Sequence, residues 1–148
     1  RCAAGSGKFL EMVAEAAEVP FTGISSCAAA SRQPYSFSSS CAVFAESEII
    51  SQINAGMKRS DVLAGVIRAI ASQAASLIDG AGAKDRIALI GGLSKIPAIK
   101  DTLTELTGRE ITTLPIDGQL VAAFGAALIA QGKIIQKKRG LCVKGGAA

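Results

Sequence analysis

A helix-rich α/β fold with a short parallel sheet is the class this sequence predicts, and three observations carry that reading. Two apolar runs of strand length, RIALIGG and EITTLP, alternate with helical segments in the order strand–helix–strand–helix. That order builds a parallel layer. Helical periodicity covers most of the remaining chain. Only 4% of the residues are aromatic, none is Trp, and 49% are hydrophobic, so the core must be made of Ala, Ile, Leu and Val with helices packed closely. A chain of 148 residues fits one domain and is long enough to bury a real core.

The elements follow in order. From Gly5 to about Glu18, Phe9, Leu10, Val13, Ala14 and Ala17 fall on one stripe of a helix, which Pro20 and Gly23 end. Ser25 to Ser40, rich in Ser and containing Pro34, reads as a loop. A second helix starts near Cys41, with Ala42, Ala45, Ile49 and Ile53 on one face and Gly56 closing it. Ser60 is expected to cap a third helix with Asp61 in its first turn. Its stripe is Leu63, Val66, Ile67, Ile70, Ala74 and Leu77, and the Gly80–Gly82 turn stops it. After the RIALIGG strand, Ser94 and Pro97 suit the cap and first turn of a helix running to about Leu106. EITTLP is a short strand closed by Pro115. Leu120 to Ala130 is almost wholly apolar, with Gly125 inside, and predicts a helix buried on most sides. Two parts result: residues 1–132 as the folded body, and 133–148 as a basic tail, a candidate for disorder.

The net charge of +4 suggests nucleic acid until it is located. Lys133, Lys137, Lys138, Arg139 and Lys144 hold five of the 16 basic charges, and no acid follows Lys133. Without them eleven basic residues face twelve acidic ones, so the body is near neutral. No aromatic residue is interleaved with the tail's basic ones, which argues against a nucleic-acid surface. No stretch reaches the run of about 20 apolar residues a membrane helix needs. The start, RCAAGSGK, has neither the apolar run nor the cleavage region of a signal peptide. The expectation is a cytoplasmic protein with no membrane and no nucleic-acid partner.

Four cysteines stand at positions 2, 27, 41 and 142, and none forms a C-x-x-C pair. The spacing excludes a zinc ribbon or thioredoxin motif, and a reducing cytosol disfavours a structural disulfide. Inert thiols remain, or ligands for a soft metal centre completed by another chain.

Three segments can carry chemistry. CAAGSGKF, with Gly5, Ser6 and Gly7, looks like a phosphate-binding loop but fails the Walker pattern at Cys2 and Phe9. What remains is a glycine loop feeding a helix N-terminus, which favours an anion; an ordinary glycine-rich turn fits equally well. In SSSCAVFAESE, Cys41 sits at a helix start, as Cys2 sits just ahead of another, and such positions favour a thiolate. One chain offers two sulfurs where a cubane cluster takes four, and a two-fold dimer would supply the rest. Spacing alone favours two unrelated buried thiols. In LIGGLSKIP, glycines end a strand where open α/β sheets admit a nucleotide.

Together, CAAGSGKFLE, SSSCAVFAESEIIS, LIGGLSKIPAIKDTL and QLVAAFGAALIAQG resemble the BadF/BadG/BcrA/BcrD ATPase family, in the expected order and up to about Gly132. That family includes activators of 2-hydroxyacyl-CoA dehydratases and subunits of benzoyl-CoA reductase. The resemblance implies the C-terminal part of an actin-like, ribonuclease H-like ATPase domain. It implies that Cys2 and Cys41 ligate a [4Fe-4S] cluster shared across a homodimer, and that ATP or ADP with Mg is the nucleotide. It places Gly91 and Gly92 against that nucleotide with Lys95 nearby, and Gly5, Ser6 and Gly7 near it or positioning Cys2. Glu48 and Glu46 are candidates for nucleotide contact or for transmitting its state, although a solvated helix face explains them equally. Gln119 fits capping as well as binding. The implied activity is ATP-dependent electron transfer to a dehydratase or reductase component.

Three departures qualify the resemblance. The family's two phosphate motifs precede the first cysteine motif, and the sequence opens at Arg1; unless they lie on another polypeptide, this chain should hydrolyse ATP poorly. GGLSKI differs from the activators' usual Gly-Gly-Val-Ala-Lys-Asn. Cys27 has no place in the family pattern and reads as an inert thiol. Rival readings are a non-catalytic iron–sulfur dimerisation module of a larger protein, and a sugar-kinase-like ATPase fragment without a cluster.

Overall fold

The computed structural model describes residues 7–37, 42–83 and 86–144, with side chains described as far as residue 132 except for residues 42–44. Helix α1 (Gly7–Ala16) buries Phe9, Leu10, Val13 and Ala14, and Ala17 follows them inward. This is the expected stripe. The helix ends without a glycine: Glu18 takes φ 53°, while the Val19 amide donates to the Ala14 carbonyl at 2.9 Å. This is a Schellman-type close at a residue that pays a steric cost for the left-handed conformation. Arg59 steadies it, donating to the Ala17 carbonyl at 2.7 Å and pairing with the Glu18 carboxylate.

The stretch read as loop from Ser25 contains a helix. Pro20 leads into a 3-10 turn at Phe21–Gly23, and α2 (Ile24–Ala29) follows, burying Ile24 and Ala28 one turn apart. Two apolar residues among serines are too few to show periodicity, so tertiary burial rather than propensity makes this helix. It packs on α4 and α5.

Helix α3 (Ala42–Asn54) buries Ala45 and Ile49, packs against α1, and closes at Gly56 with φ 87°. The Gly56 and Met57 amides donate to the carbonyls of Ile53 and Gln52, both at 3.0 Å. Helix α4 (Arg59–Gly80) begins earlier than expected, with Lys58 in the cap position and Ser60 inside the first turn. The extended Lys58 backbone lets the chain enter without a side-chain cap. Asp61 does more than complement the dipole. Its Oδ1 accepts from the Ser31 hydroxyl at 2.6 Å and from the amides of Arg32 and Gln33 at 3.1 and 3.2 Å.

By length and composition α4 could cross a membrane, contrary to the sequence expectation. Its buried residues, however, are Val62, Leu63, Val66, Ile67, Ile70, Ala71 and Ala75, the centre of the core, and it carries Arg59, Asp61, Arg68 and Asp79. Leu77 leaves the expected stripe and is 75% exposed, because Ala71 and Ala75 turn inward instead.

Strands β1 (Arg86–Leu89) and β2 (Glu110–Thr113) pair in parallel with Arg86 opposite Glu110 and Leu89 opposite Thr113. Helix α5 (Pro97–Thr107) makes the crossover, packing Ile99 and Leu103 against α4, and Gly108 ends it at φ 62°. Pro97 holds its first position, and Ile96 rather than Ser94 stands at the cap. Only one face of β1 is covered: Ile87 and Leu89 join the core while Ile90 is exposed.

Helix α6 (Val121–Lys144) runs past Gly132 without a break, and the expectation that fails is its burial. It is not buried on most sides; Phe124, Leu128 and Ile129 are each more than half exposed. Apolar composition shows what a helix can bury, and no described element packs extensively on this one.

Candidate functional site

The two strand ends converge on one site. Beyond β1 the chain reaches Gly91, whose φ of 83° belongs to glycine, then makes a 3-10 turn over Gly92–Lys95. The Gly91 amide donates to the Gly118 carbonyl at 2.9 Å, which joins this turn to the segment between β2 and α6. The fit is close. A Cβ built on Gly118 would lie 2.1 Å from Ser94 Oγ and 3.0 Å from the Gly91 carbonyl oxygen. The Ser94 hydroxyl is already committed, donating to the Gly91 carbonyl at 2.7 Å.

Lys95 bridges the same two segments. Its ammonium donates to Asp117 Oδ2 at 2.8 Å and to Gln119 Oε1 at 2.9 Å. Asp117 turns its other oxygen to the Gln119 amide at 3.0 Å, an Asx turn that leads into α6. The Lys95 ammonium, followed by that amide bond, holds the Asp117 carboxyl below its ordinary range. A charged, solvent-open clasp thus sets the entrance to α6, and the exposed side of the Gly91–Gly92 turn stays free of bulk. A Cβ on Gly92 would find only Gln119 Nε2 within reach, at 3.5 Å.

The structure gathers Gly91, Gly92 and Lys95 with Gln119. It keeps Glu48 elsewhere: on α3, accepting from the Tyr35 hydroxyl at 2.8 Å. That bond, ahead of desolvation and the charge of Glu48, raises the Tyr35 phenol above its ordinary range. Glu46 lies half-buried on the same helix. Gly7 opens α1 with open space where a Cβ would be. Cys2, Gly5, Ser6 and Cys41 lie outside the described residues, as does the Cys142 side chain. Cys27 is a free thiol packed beside the core. Among the described residues no group of His, Cys, Asp and Glu could hold a metal ion. Sequence reasoning missed Asp117 and Gly118; the Asp-Gly turn dipeptide in IDGQ was the signal available.

A separate groove of about 460 Å³ runs between α2, α4 and α5, with Ser25, Ile67, Pro97 and Asp101 in its walls. The Arg68–Glu105 pair, at 3.1 Å, spans it from α4 to α5.

The fold is that of the actin-like ATPases. The chain belongs to the BadF/BadG/BcrA/BcrD ATPase family, whose model matches residues 1–130. It is 38% identical over 133 residues to the (R)-2-hydroxyglutaryl-CoA dehydratase activating ATPase of Acidaminococcus fermentans, covering 90% of this chain and 51% of that one. It is 32% identical to a benzoyl-CoA reductase subunit of Thauera aromatica, covering 86% of this chain and 47% of the relative. Among solved structures, the activator of the 2-hydroxyisocaproyl-CoA dehydratase from Clostridium difficile with bound ADPNP superposes with a TM-score of 0.83 at 33% identity, over 95% of this chain and 52% of that one. The chain thus spans about half the length of the relatives it matches.

Proposed function

We propose that this chain is the nucleotide- and cluster-binding C-terminal part of an ATP-dependent electron-transfer activator, serving a 2-hydroxyacyl-CoA dehydratase or a related CoA-ester reductase in the cytoplasm. The observation that carries the nucleotide half is the turn after β1. Gly91 and Gly92 leave an open backbone surface at a strand's C-terminal end, where open α/β sheets bind ligands, and Lys95 stands beside it as a fixed positive charge. An adenine nucleotide with Mg fits that chemistry. Glu48, bonded to Tyr35, has the role of a relay from α3 rather than of a direct contact.

The cluster half rests on Cys2 and Cys41, with Gly5, Ser6 and Gly7 near the nucleotide or positioning Cys2. The two helices that these cysteine motifs lead into, α1 and α3, pack against each other, which supports a common site for the two thiols. Two thiolates from each of two protomers in a homodimer match the four that a [4Fe-4S] cluster takes. When bound, the cluster supplies a one-electron carrier for the acceptor enzyme. The chain's own contribution is to couple nucleotide state to the packing of α1 and α3 through α4.

Iron and acid-labile sulfide on anaerobically purified protein test this reading. About four of each per dimer are expected, with loss of both and a weaker dimer in Cys41→Ser. Full iron content and unchanged iron–sulfur absorption in that variant would remove the assignment. Failure of the unaltered protein to bind ADP in a calorimetric titration would remove the nucleotide half.

A further inference from the structure

The structure assigns Tyr35 a positioning role: it is a strut that ties α3, the helix the second cysteine motif leads into, to the central helix α4. The inference rests on the cluster reading above and deepens it. Tyr35 stands six residues before Cys41 in sequence, and its base is held in three ways. Its amide donates to the Asp61 carbonyl at 2.9 Å. Its own carbonyl is packed on Gly65 of α4. Its ring meets Phe37 edge to face, and Phe37 packs beside the core. From that fixed base the hydroxyl donates to Glu48 Oε1 on α3 at 2.8 Å.

A polar strut matters here because α3 has little apolar hold. Among its described side chains only Ala45 and Ile49 are buried, whereas α4 buries eight residues. Ala45 and Ile49 lie one turn apart on a single line. That line fixes where α3 rests but leaves it free to roll about its own axis. Glu48 projects about 100° round the helix from Ile49, so a bond there stops the roll. The acceptor is a carboxylate, which makes the bond one of the stronger kind. Any roll of α3 also turns whatever its N-terminus carries, and Cys41 directly precedes Ala42, its first residue. Tyr35 is then a positioning residue for the second cysteine.

Two measurements test it. Tyr35 is the only tyrosine and there is no tryptophan, so phenolate absorbance reads this one residue. Among the described residues the charged groups beside the phenol are Glu48 from α3 and Arg68 from α4, and Arg68 pairs with Glu105. The bond to Glu48, then desolvation and the charge of Glu48, hold the phenol above its ordinary 10.0. Glu48→Ala should return it toward that value; a phenol that already titrates there in the unaltered protein overturns the inference. The second measurement is iron loss to a chelator from cluster-loaded protein. Tyr35→Phe keeps the ring and removes the donor, so iron should leave roughly 3- to 10-fold faster, with the circular dichroism spectrum unchanged. The same change should add nothing in a Glu48→Ala background, while Glu48→Gln, which keeps an acceptor, should stay near the unaltered rate. Additive effects, or iron loss in Tyr35→Phe within twofold of the unaltered protein, overturn this inference while leaving the cluster reading intact. No iron in the unaltered protein after anaerobic reconstitution removes both.

Discussion

The Tyr35 carbonyl oxygen lies where a side chain on Gly65 would have to go: a Cβ built on Gly65 would stand 2.1 Å from it. The segment leading toward the second cysteine motif therefore rests directly on the backbone of the central helix. Asp61 anchors the same segment, and its carbonyl accepts the Tyr35 amide at 2.9 Å. Tyr35 and Phe37 meet edge to face, with ring centroids 4.8 Å apart.

Gly65→Ala should destabilise the protein by about 1–3 kcal/mol, the usual cost of overpacking. An exposed helical glycine would instead gain about 1 kcal/mol from the same change. Urea denaturation decides between the signs. A stabilised variant would mean that the Tyr35 backbone does not lie on α4.

Asp61 should make stability depend on pH. The Ser31 hydroxyl, then the amides of Gln33 and Arg32, hold its carboxyl below the ordinary value of 3.8. A carboxylate depressed in the folded state contributes stability above its unfolded pKa and loses it as pH falls through the folded one. Thermal melts of Asp61→Ala should fall below the parent's at neutral pH, and the two should converge below pH 3.8. A gap that is constant with pH would mean that the carboxylate charge is not what anchors residues 31–33.

Glycine at Glu18 should be tolerated or favourable. The substitution relieves a left-handed non-glycine residue, worth about 1–2 kcal/mol, against loss of an exposed ion pair with Arg59 worth about 0–1 kcal/mol. Glu15→Gly, one turn earlier within α1, should cost about 1 kcal/mol. Equal losses at both positions in chemical denaturation would argue against the left-handed close of α1.

Gly118 and Ser94 should be coupled. Gly118→Ala places a methyl against the Ser94 hydroxyl and should lower both stability and ADP affinity. Adding Ser94→Ala should return part of the loss, with a coupling of roughly 0.5–3 kcal/mol. Strict additivity in the double-mutant cycle would show that the two loops are not in contact in solution.

Much of this structure was legible in residue pattern alone. Phe9, Leu10, Val13, Ala14 and Ala17 repeat along a helix face, and all five are buried. The strand–helix–strand order of RIALIGG, α5 and EITTLP gave the parallel pair its topology. The failures share a cause, because each was decided by a tertiary partner that local pattern does not encode. Helix α2 exists because Ile24 and Ala28 find α4 and α5. Asp61 looked like a dipole-complementing residue until the chain folded Ser31 onto it. Leu120–Ala130 looked buried because it is apolar, but Phe124 and Leu128 are left more than half exposed. At the site, Gly91, Gly92 and Lys95 could be named from the sequence, whereas Asp117 and Gly118 belong to it only through a long-range contact.

The bond from the Gly91 amide to Gly118 also sets an order of events during synthesis. Helices α1 to α4 pack on one another and can begin to settle as they leave the ribosome. The glycine turn cannot close until the chain has been extended by 27 further residues, from position 91 to position 118. At about 5–20 residues per second that is a wait of roughly one to five seconds. For that interval a nascent chain has its helical scaffold but no finished turn, so anything that needs the closed turn must wait until the segment after β2 has been made.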